Sequence, residues 1–190
     1  VTKANLTPER AHGYIRLGYS PVPIPARTKA PTIRDWPGLR ITEAEVANYF
    51  SGDSNIGIIL GEASGGLVDL DLDCREAIEL AAKVLPATAA VFGRASKPRS
   101  HHEYRVVGRA PTIKFSDPIT GTSLLELRGD GGLQTVFPGS VHPSGELIEW
   151  AEDGEPATVE YAALVAAARR LAAFCLIRRY VWPRNQGAEP

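Results

Sequence analysis

The 190-residue chain has no methionine, only two cysteines and a net charge of just −1. Each shortage narrows what the protein can be. Cys74 and Cys175 lie far apart in sequence without C-x-x-C spacing, which excludes a zinc knuckle and a disulfide framework and fits a reduced, cytoplasmic setting. No apolar run approaches the ~18 residues of a membrane span. The N-terminus also lacks the basic-then-apolar pattern of a secretory leader, and the missing methionine, absent even at position 1, reads as a trimmed or fragmentary chain. Near-neutral charge excludes a strong overall attraction for nucleic acid, so any such partner must be held by a local patch. There is no G-x-x-x-x-G-K-[ST] loop, which excludes a helicase-type ATP motor.

Apolar residues make up 44% of the chain, enough for the core of one domain. The most informative stretch is 65–73 (GGLVDLDLD), where acids alternate with Leu and Val directly after a glycine turn. On a strand, alternate side chains share a face, so Asp69, Asp71 and Asp73 fall on one face while Val68, Leu70 and Leu72 enter the core. Carboxylates crowded in this way are costly unless protonated or neutralised, and a hard divalent cation such as Mg²⁺ or Mn²⁺ neutralises them.

Around this strand the pattern predicts helices over 7–18, with Thr7 as cap, over 42–49, with Thr42 and Glu45 as a capping box, over 74–85, and over 158–170, opened by Thr158. It predicts strands over 19–24, demoted to an edge by its prolines, and over 55–60, 65–73, 89–93, 124–127, 133–137 and 147–150. The pairs 55–60/65–73 and 124–127/133–137 read as hairpins joined by glycine turns. Residues 187–190 read as a frayed end.

From Arg94 the sequence turns basic. Arg94, Lys97, Arg99, His101, His102, Arg105 and Arg109 crowd around Tyr104. If this stretch is a strand, Ser100 and His102 share a face and can donate to phosphate oxygens, while His101 points the other way. Glu126, in a strand bordered by glycine turns, is the acid that could join the aspartates from a neighbouring strand. Arg128 lies on the same face as Glu126, and His142 sits between Ser140 and Ser144 in a Pro/Gly turn. Lys29 and Trp36 read equally as surface residues and as template or nucleotide contacts.

These segments resemble, in order, the archaeo-eukaryotic primase superfamily and within it the bifunctional DNA primase/polymerase domains. The segment 18–36 is similar to the family's early G-x-x-x-x-P…K-x-P…W stretch, and 55–71 (NIGIILGEASGGLVDLD) to its N-I-G…S-G-hydrophobic-D-x-D element. The segment 92–104 resembles the S-x-H motif, Glu126 with Arg128 the third acidic motif, and 138–145 (PGSVHPSG) a P-x-S-x-H-x-x-G element. The resemblance implies an α/β (α+β) fold, with a mixed, mostly antiparallel sheet, flanking helices and an RRM-like core packed on an N-terminal αβ unit. It implies a catalytic domain over 1–157 and a C-terminal helix and tail over 158–190 that leads toward a further domain.

For function it implies template-directed nucleotidyl transfer from nucleoside triphosphates on a single-stranded DNA template and primer, in plasmid- or phage-type replication, with a helicase as a possible partner and no membrane. Asp69, Asp71 and Glu126 would hold two Mg²⁺ or Mn²⁺ ions. Ser100 and His102 would contact the incoming nucleotide, with His101 the alternative imidazole because some relatives read S-H-aromatic-x-Y. Arg128 and His142 would also face the nucleotide, and Arg94, Lys97 and Arg99 the DNA. Two other readings remain open: a metal-dependent nuclease, from the Glu126-Leu127-Arg128 pattern, and a non-catalytic nucleic-acid-binding module whose acids are structural.

Overall fold

The computed structural model describes residues 6–50 and 52–181; residues 187–190 lie outside them. The chain builds two antiparallel sheets around the acidic strand. A small sheet holds β1 (Ser20–Ile24), β2 (Asn55–Ile59) and β8 (Gln134–Val136) in the order β1-β2-β8. Pro21 and Pro23 lack the donors an inner strand needs, and β1 accordingly stands at the edge.

The large sheet holds β3 (Leu67–Leu72), β4 (Ala90–Arg94), β5 (Lys97–Arg105), β6 (Ile113–Ser116), β7 (Ser123–Arg128) and β9 (Ile148–Asp153) in the order β6-β7-β3-β5-β4-β9. A short β10 (Ala157–Thr158) adds to β5 in parallel. The α+β architecture agrees with the expectation, and the acidic strand β3 sits in the middle of the larger sheet.

Neither expected hairpin forms. The run 55–60 turns at Gly61–Gly66 into β3, but β2 and β3 belong to different sheets, and among the described residues their backbones pair only at the isolated bridge Gly61↔Leu67 just past β2. Likewise β7 pairs with β3 and β6, while β8 pairs with β2, so the glycines at 129–132 carry the chain from one sheet to the other. Two glycine turns therefore stitch the sheets face to face, with β3 at the seam.

Helices close both sides. Helix α1 (Leu6–Arg16) packs beside the small sheet. The Thr7 hydroxyl donates to the carbonyls of Gly52 and Ser54 rather than capping the helix. Before the short α2 (Val46–Tyr49) the expected box closes: the Glu45 carboxylate accepts from the Thr42 amide at 3.0 Å and from its hydroxyl at 2.6 Å. Helices α3 (Arg75–Val84) and α4 (Tyr161–Leu176) cover the outer face of the large sheet. Helix α4 starts later and runs further than its sequence pattern suggested, because Thr158 is taken up in β10, and a π-helical turn (Ile177–Val181) follows it.

Two apolar layers result. Val68, Leu70, Leu72, Leu125 and Leu127 meet α3 and α4 on one side, where Cys74 and Cys175 also pack as free thiols. On the other side Leu67 and Phe92 meet Ile56, Ile58 and Phe137 of the small-sheet region. Between the sheets, the acid-bearing face of β3 opens into a cleft.

Candidate active site

Register decides which side chains meet. Asp71 pairs with Glu126 on β7 and with His101 on β5, and His101 pairs in turn with Phe92 on β4. One row earlier, Asp69 pairs with Arg128 on β7 and Glu103 on β5. Directly opposed residues on adjacent strands share a face with Cβ atoms ~5 Å apart, so Asp69, Asp71, Glu126, Arg128, His101 and Glu103 form one patch. The structure thus brings together the three acids the sequence singled out, across two neighbouring strands.

The two aspartates have different surroundings. Asp69 is fully buried at the seam. Thr135 of the small sheet donates its hydroxyl to it at 2.6 Å, His101 Nδ1 stands 3.1 Å away, and an Arg128 nitrogen lies at 3.6 Å. Burial pushes its pKa up, but His101, Arg128 and Thr135 outweigh this and hold it below the ordinary value. Asp71 is less well served. Desolvation, with Asp69 nearby, raises its pKa against the pull of His101 and Lys97, and its Oδ1 is buried without a hydrogen-bond partner. Lys97 Nζ sits 3.8 Å from that oxygen and 3.1 Å from Asp73 Oδ1, so its ammonium bridges the pair.

The two histidines, left as alternatives by the sequence, face opposite sides of β5. His101, not His102, faces the acids; it stacks on Phe92 at 4.7 Å with the rings 13° apart, and its Nε2 lies 3.9 Å from Asp71. Its burial would lower the pKa, but Asp69 and Asp71 raise it instead. His102 pairs with Leu70 and Val91 on the opposite, helix-facing side; it is 5% exposed, and burial pushes its pKa down to about 4. Ser100 and His102 were expected together, yet Ser100 lines the cleft beside His101. The strand is irregular here: its register with β4 shifts between Phe92 and Arg94, and Arg99 takes a left-handed φ of 54°.

A cavity of about 110 Å³ opens over this patch, lined by Asp71, Ser100, His101, Lys29, Arg94, Arg128, Gln134 and His142 among others. Lys29 and His142 reach it from two separate loops. Partial burial lowers the pKa of Lys29, as do the cations of Arg94, Lys97 and Arg128 against the pull of Asp71. Burial with Arg94 and Lys29 nearby also lowers that of His142, whose Nδ1 accepts from the Ser144 amide. Arg94 pairs with Glu146 at 3.2 Å and Arg99 with Glu152, so of the three expected DNA contacts Arg94 faces the cavity, Lys97 the aspartates, and Arg99 the edge strand β9.

Sequence reasoning missed Glu103, Thr135 and Gln134. Glu103 is completely buried beside Asp69 with neither carboxylate oxygen hydrogen-bonded, and desolvation and Asp69 raise its pKa well above the usual range. Strand alternation would have placed it with His101 once β5 was read as a strand. Nothing local marks Thr135 and Gln134, which reach the site from the other sheet.

As they stand, the described residues hold no cluster of three His, Cys, Asp or Glu groups gathered around an ion position. The donor set nonetheless fits a hard divalent cation: Asp71 offers a buried oxygen that makes no hydrogen bond, and the partly exposed Glu126 stands opposite it. Asp69 would have to give up a present partner to join them.

Fold and site together define a two-sheet α+β protein with carboxylates and cations converging in the cleft between the sheets. The chain belongs to the Prim-Pol family, the bifunctional DNA primase/polymerase N-terminal domains, whose family model matches residues 11–162. The family is that of a primase/polymerase-type enzyme, with DNA and nucleotides as substrates. No curated protein matches the chain. Among the described residues, no helix is long and apolar enough to cross a membrane.

Proposed function

We propose that the cleft catalyses template-directed nucleotidyl transfer, joining a nucleoside triphosphate to a strand's 3′-hydroxyl with release of pyrophosphate. The observation that carries this reading is the pairing of Asp71 with Glu126 in register, beside a cavity that Asp71 lines together with Lys29, Arg94, Arg128 and His101. Acids interleaved with cations on one face suit a reaction between a hydroxyl and a polyanion. Asp71 and Glu126, joined by Asp69, would hold Mg²⁺ or Mn²⁺, which when bound lowers the pKa of the attacking hydroxyl and neutralises the departing pyrophosphate.

The remaining groups bind and orient. Arg128 and Arg94 offer fixed guanidinium forks to phosphate oxygens. His101, held by Asp69 and stacked on Phe92, presents Nε2 toward the same space. Lys29 and His142 close on the triphosphate from the loops. At about 110 Å³ the cavity takes phosphate groups and leaves sugar and base in the open cleft, since whole-ligand pockets run from ~300 Å³ upward. Lys97 beside the aspartates and Arg99 at the sheet edge would meet the DNA backbone, making binding salt-dependent.

Primer extension on single-stranded template tests this. In folded protein, Asp71→Asn should lower incorporation by about a hundredfold or more, and Glu126→Gln should do likewise. Asp71 is the better target than Asp69, whose burial at the seam confounds catalysis with folding. Undiminished extension by folded Asp71→Asn refutes the assignment. Shortening of labelled DNA by the wild type without nucleotides would instead favour a nuclease.

A further inference from the structure

The two loops that bring Lys29 and His142 to the cavity are far apart in the chain, yet one buried side chain holds both. Asn55, the first residue of β2, is 1% exposed and does not line the cavity. Its Nδ2 donates to the carbonyls of Thr28 at 3.0 Å and Val141 at 2.8 Å, and its Oδ1 accepts from the Val141 amide at 2.8 Å. Thr28 and Val141 are the residues immediately before Lys29 and His142. Two positions along the same strand face, Gly57 leaves room for the Gln134 side chain: a Cβ there would come within 2.4 Å of Gln134 Oε1. With that room, Gln134 Nε2 donates to the Lys29 carbonyl at 2.7 Å. The Asn-Ile-Gly segment is thus built as a clasp on the cavity's roof.

We propose that Asn55 is a positioning residue that sets nucleotide affinity by fixing the backbones beside Lys29 and His142. The inference rests on the reading of the cavity as the triphosphate site. A lysine on an unanchored loop must be ordered when the ligand arrives, and that entropy is subtracted from binding. Anchored in advance by three hydrogen bonds, the two loops meet the phosphates already in place. The acids that perform the chemistry lie on β3 and β7 and do not depend on the clasp. Loss of Asn55 therefore weakens binding and leaves the chemical step alone.

The variant Asn55→Asp keeps the acceptor for the Val141 amide and loses both donated bonds; Asn55→Ala loses all three. Equilibrium binding of a labelled non-hydrolysable dNTP and steady-state incorporation are measured on each. The expected result is about tenfold weaker binding, equivalent to about 1.4 kcal/mol, with KM raised in proportion and kcat within about twofold of wild type. In a Lys29→Met, His142→Ala background the effect of Asn55→Asp should shrink to less than about threefold, because both groups it positions are gone.

Hydrogen exchange of the wild type provides a measurement that survives if the variants do not fold: nucleotide should slow exchange at 26–30 and at 140–144 together. Wild-type binding in folded variants, a fall in kcat with KM unchanged, full additivity with the Lys29→Met, His142→Ala pair, or protection of only one loop each overturns the proposal. A wild type that binds no nucleotide refutes instead the reading of the site on which the proposal rests.

Discussion

At the scale of single residues, one step along β5 separates two environments. His101 lies among acids and His102 among Leu70, Val91 and the helix-side core, so the same imidazole is pushed toward charge in one place and held neutral in the next. The two act on stability with opposite sign. His102 titrates near 4 when folded against about 6.5 when unfolded, so between those values the unfolded chain binds more protons. Stability contributed by His102 is therefore full above 6.5 and is lost on acidification toward 4, by about 3 kcal/mol in total. His101, raised, stabilises below its unfolded value, and this contribution is lost as pH rises through its folded value. Urea denaturation of wild type and His102→Leu at pH 7 and pH 4.5 should show the variant losing less stability on acidification, by about 2 kcal/mol or more. Equal losses in the two proteins would show that His102 is not held neutral by the core.

At the scale of elements, alternation in the sequence was enough to locate β3 and choose its faces, but not its partners. The run Val68-Asp69-Leu70-Asp71-Leu72 states which side of β3 is buried, because a period of two admits no other reading. It says nothing of which strand lies alongside. Short glycine turns then suggested hairpins, whereas Gly61–Gly66 and the 129–132 segment pass the chain between sheets, a geometry that local turn chemistry does not distinguish. Strand β6 (Ile113–Ser116), four residues with two exposed, carried too little pattern to be read. The sequence left the choice between His101 and His102 open, and the expectation that Ser100 shares a face with His102 does not hold where the strand is irregular near Arg99. By contrast, the conformation of the turn before β3 is strict. Gly66 has φ +78°, and a Cβ there would meet the Val106 carbonyl at 2.2 Å. Backbone, not a flexible side chain, blocks the space, so Gly66→Ala should cost about 2–4 kcal/mol by adding left-handed strain to the clash. Thermal melts of that variant beside Gly108→Ala, whose glycine is also left-handed but faces open space, separate the two contributions. Equal destabilisation would show that the contact with Val106 does not matter.

At the scale of the whole molecule, two sheets share no strand and are held together at the acid-bearing face of β3 by polar groups. The Thr135 hydroxyl from the small sheet donates to Asp69 at 2.6 Å and accepts from Arg128 at 2.9 Å, and Arg128 also donates to the Gln134 carbonyl at 2.7 Å. An acid on β3 and a cation on β7 thus converge on one residue of β8, so the group with which Asp69 would bind a cation is also part of the joint between the sheets. Thr135→Val keeps the shape and removes both bonds, leaving a buried carboxylate short of a donor and the guanidinium short of an acceptor. That should cost about 1–3 kcal/mol, whereas Thr135→Ser, which retains the hydroxyl, should recover most of it. Because Asp69 loses a hydrogen bond that competes with a metal for its oxygens, Thr135→Val should bind Mn²⁺ at least as tightly as wild type despite its lower stability. Denaturation midpoints and free Mn²⁺ titration, read on the same three proteins, check both halves. A valine variant with wild-type stability would mean that the apolar layers alone hold the sheets together. One that is destabilised and also binds Mn²⁺ more weakly would mean that Thr135 holds Asp69 in its metal-binding position rather than competing for it.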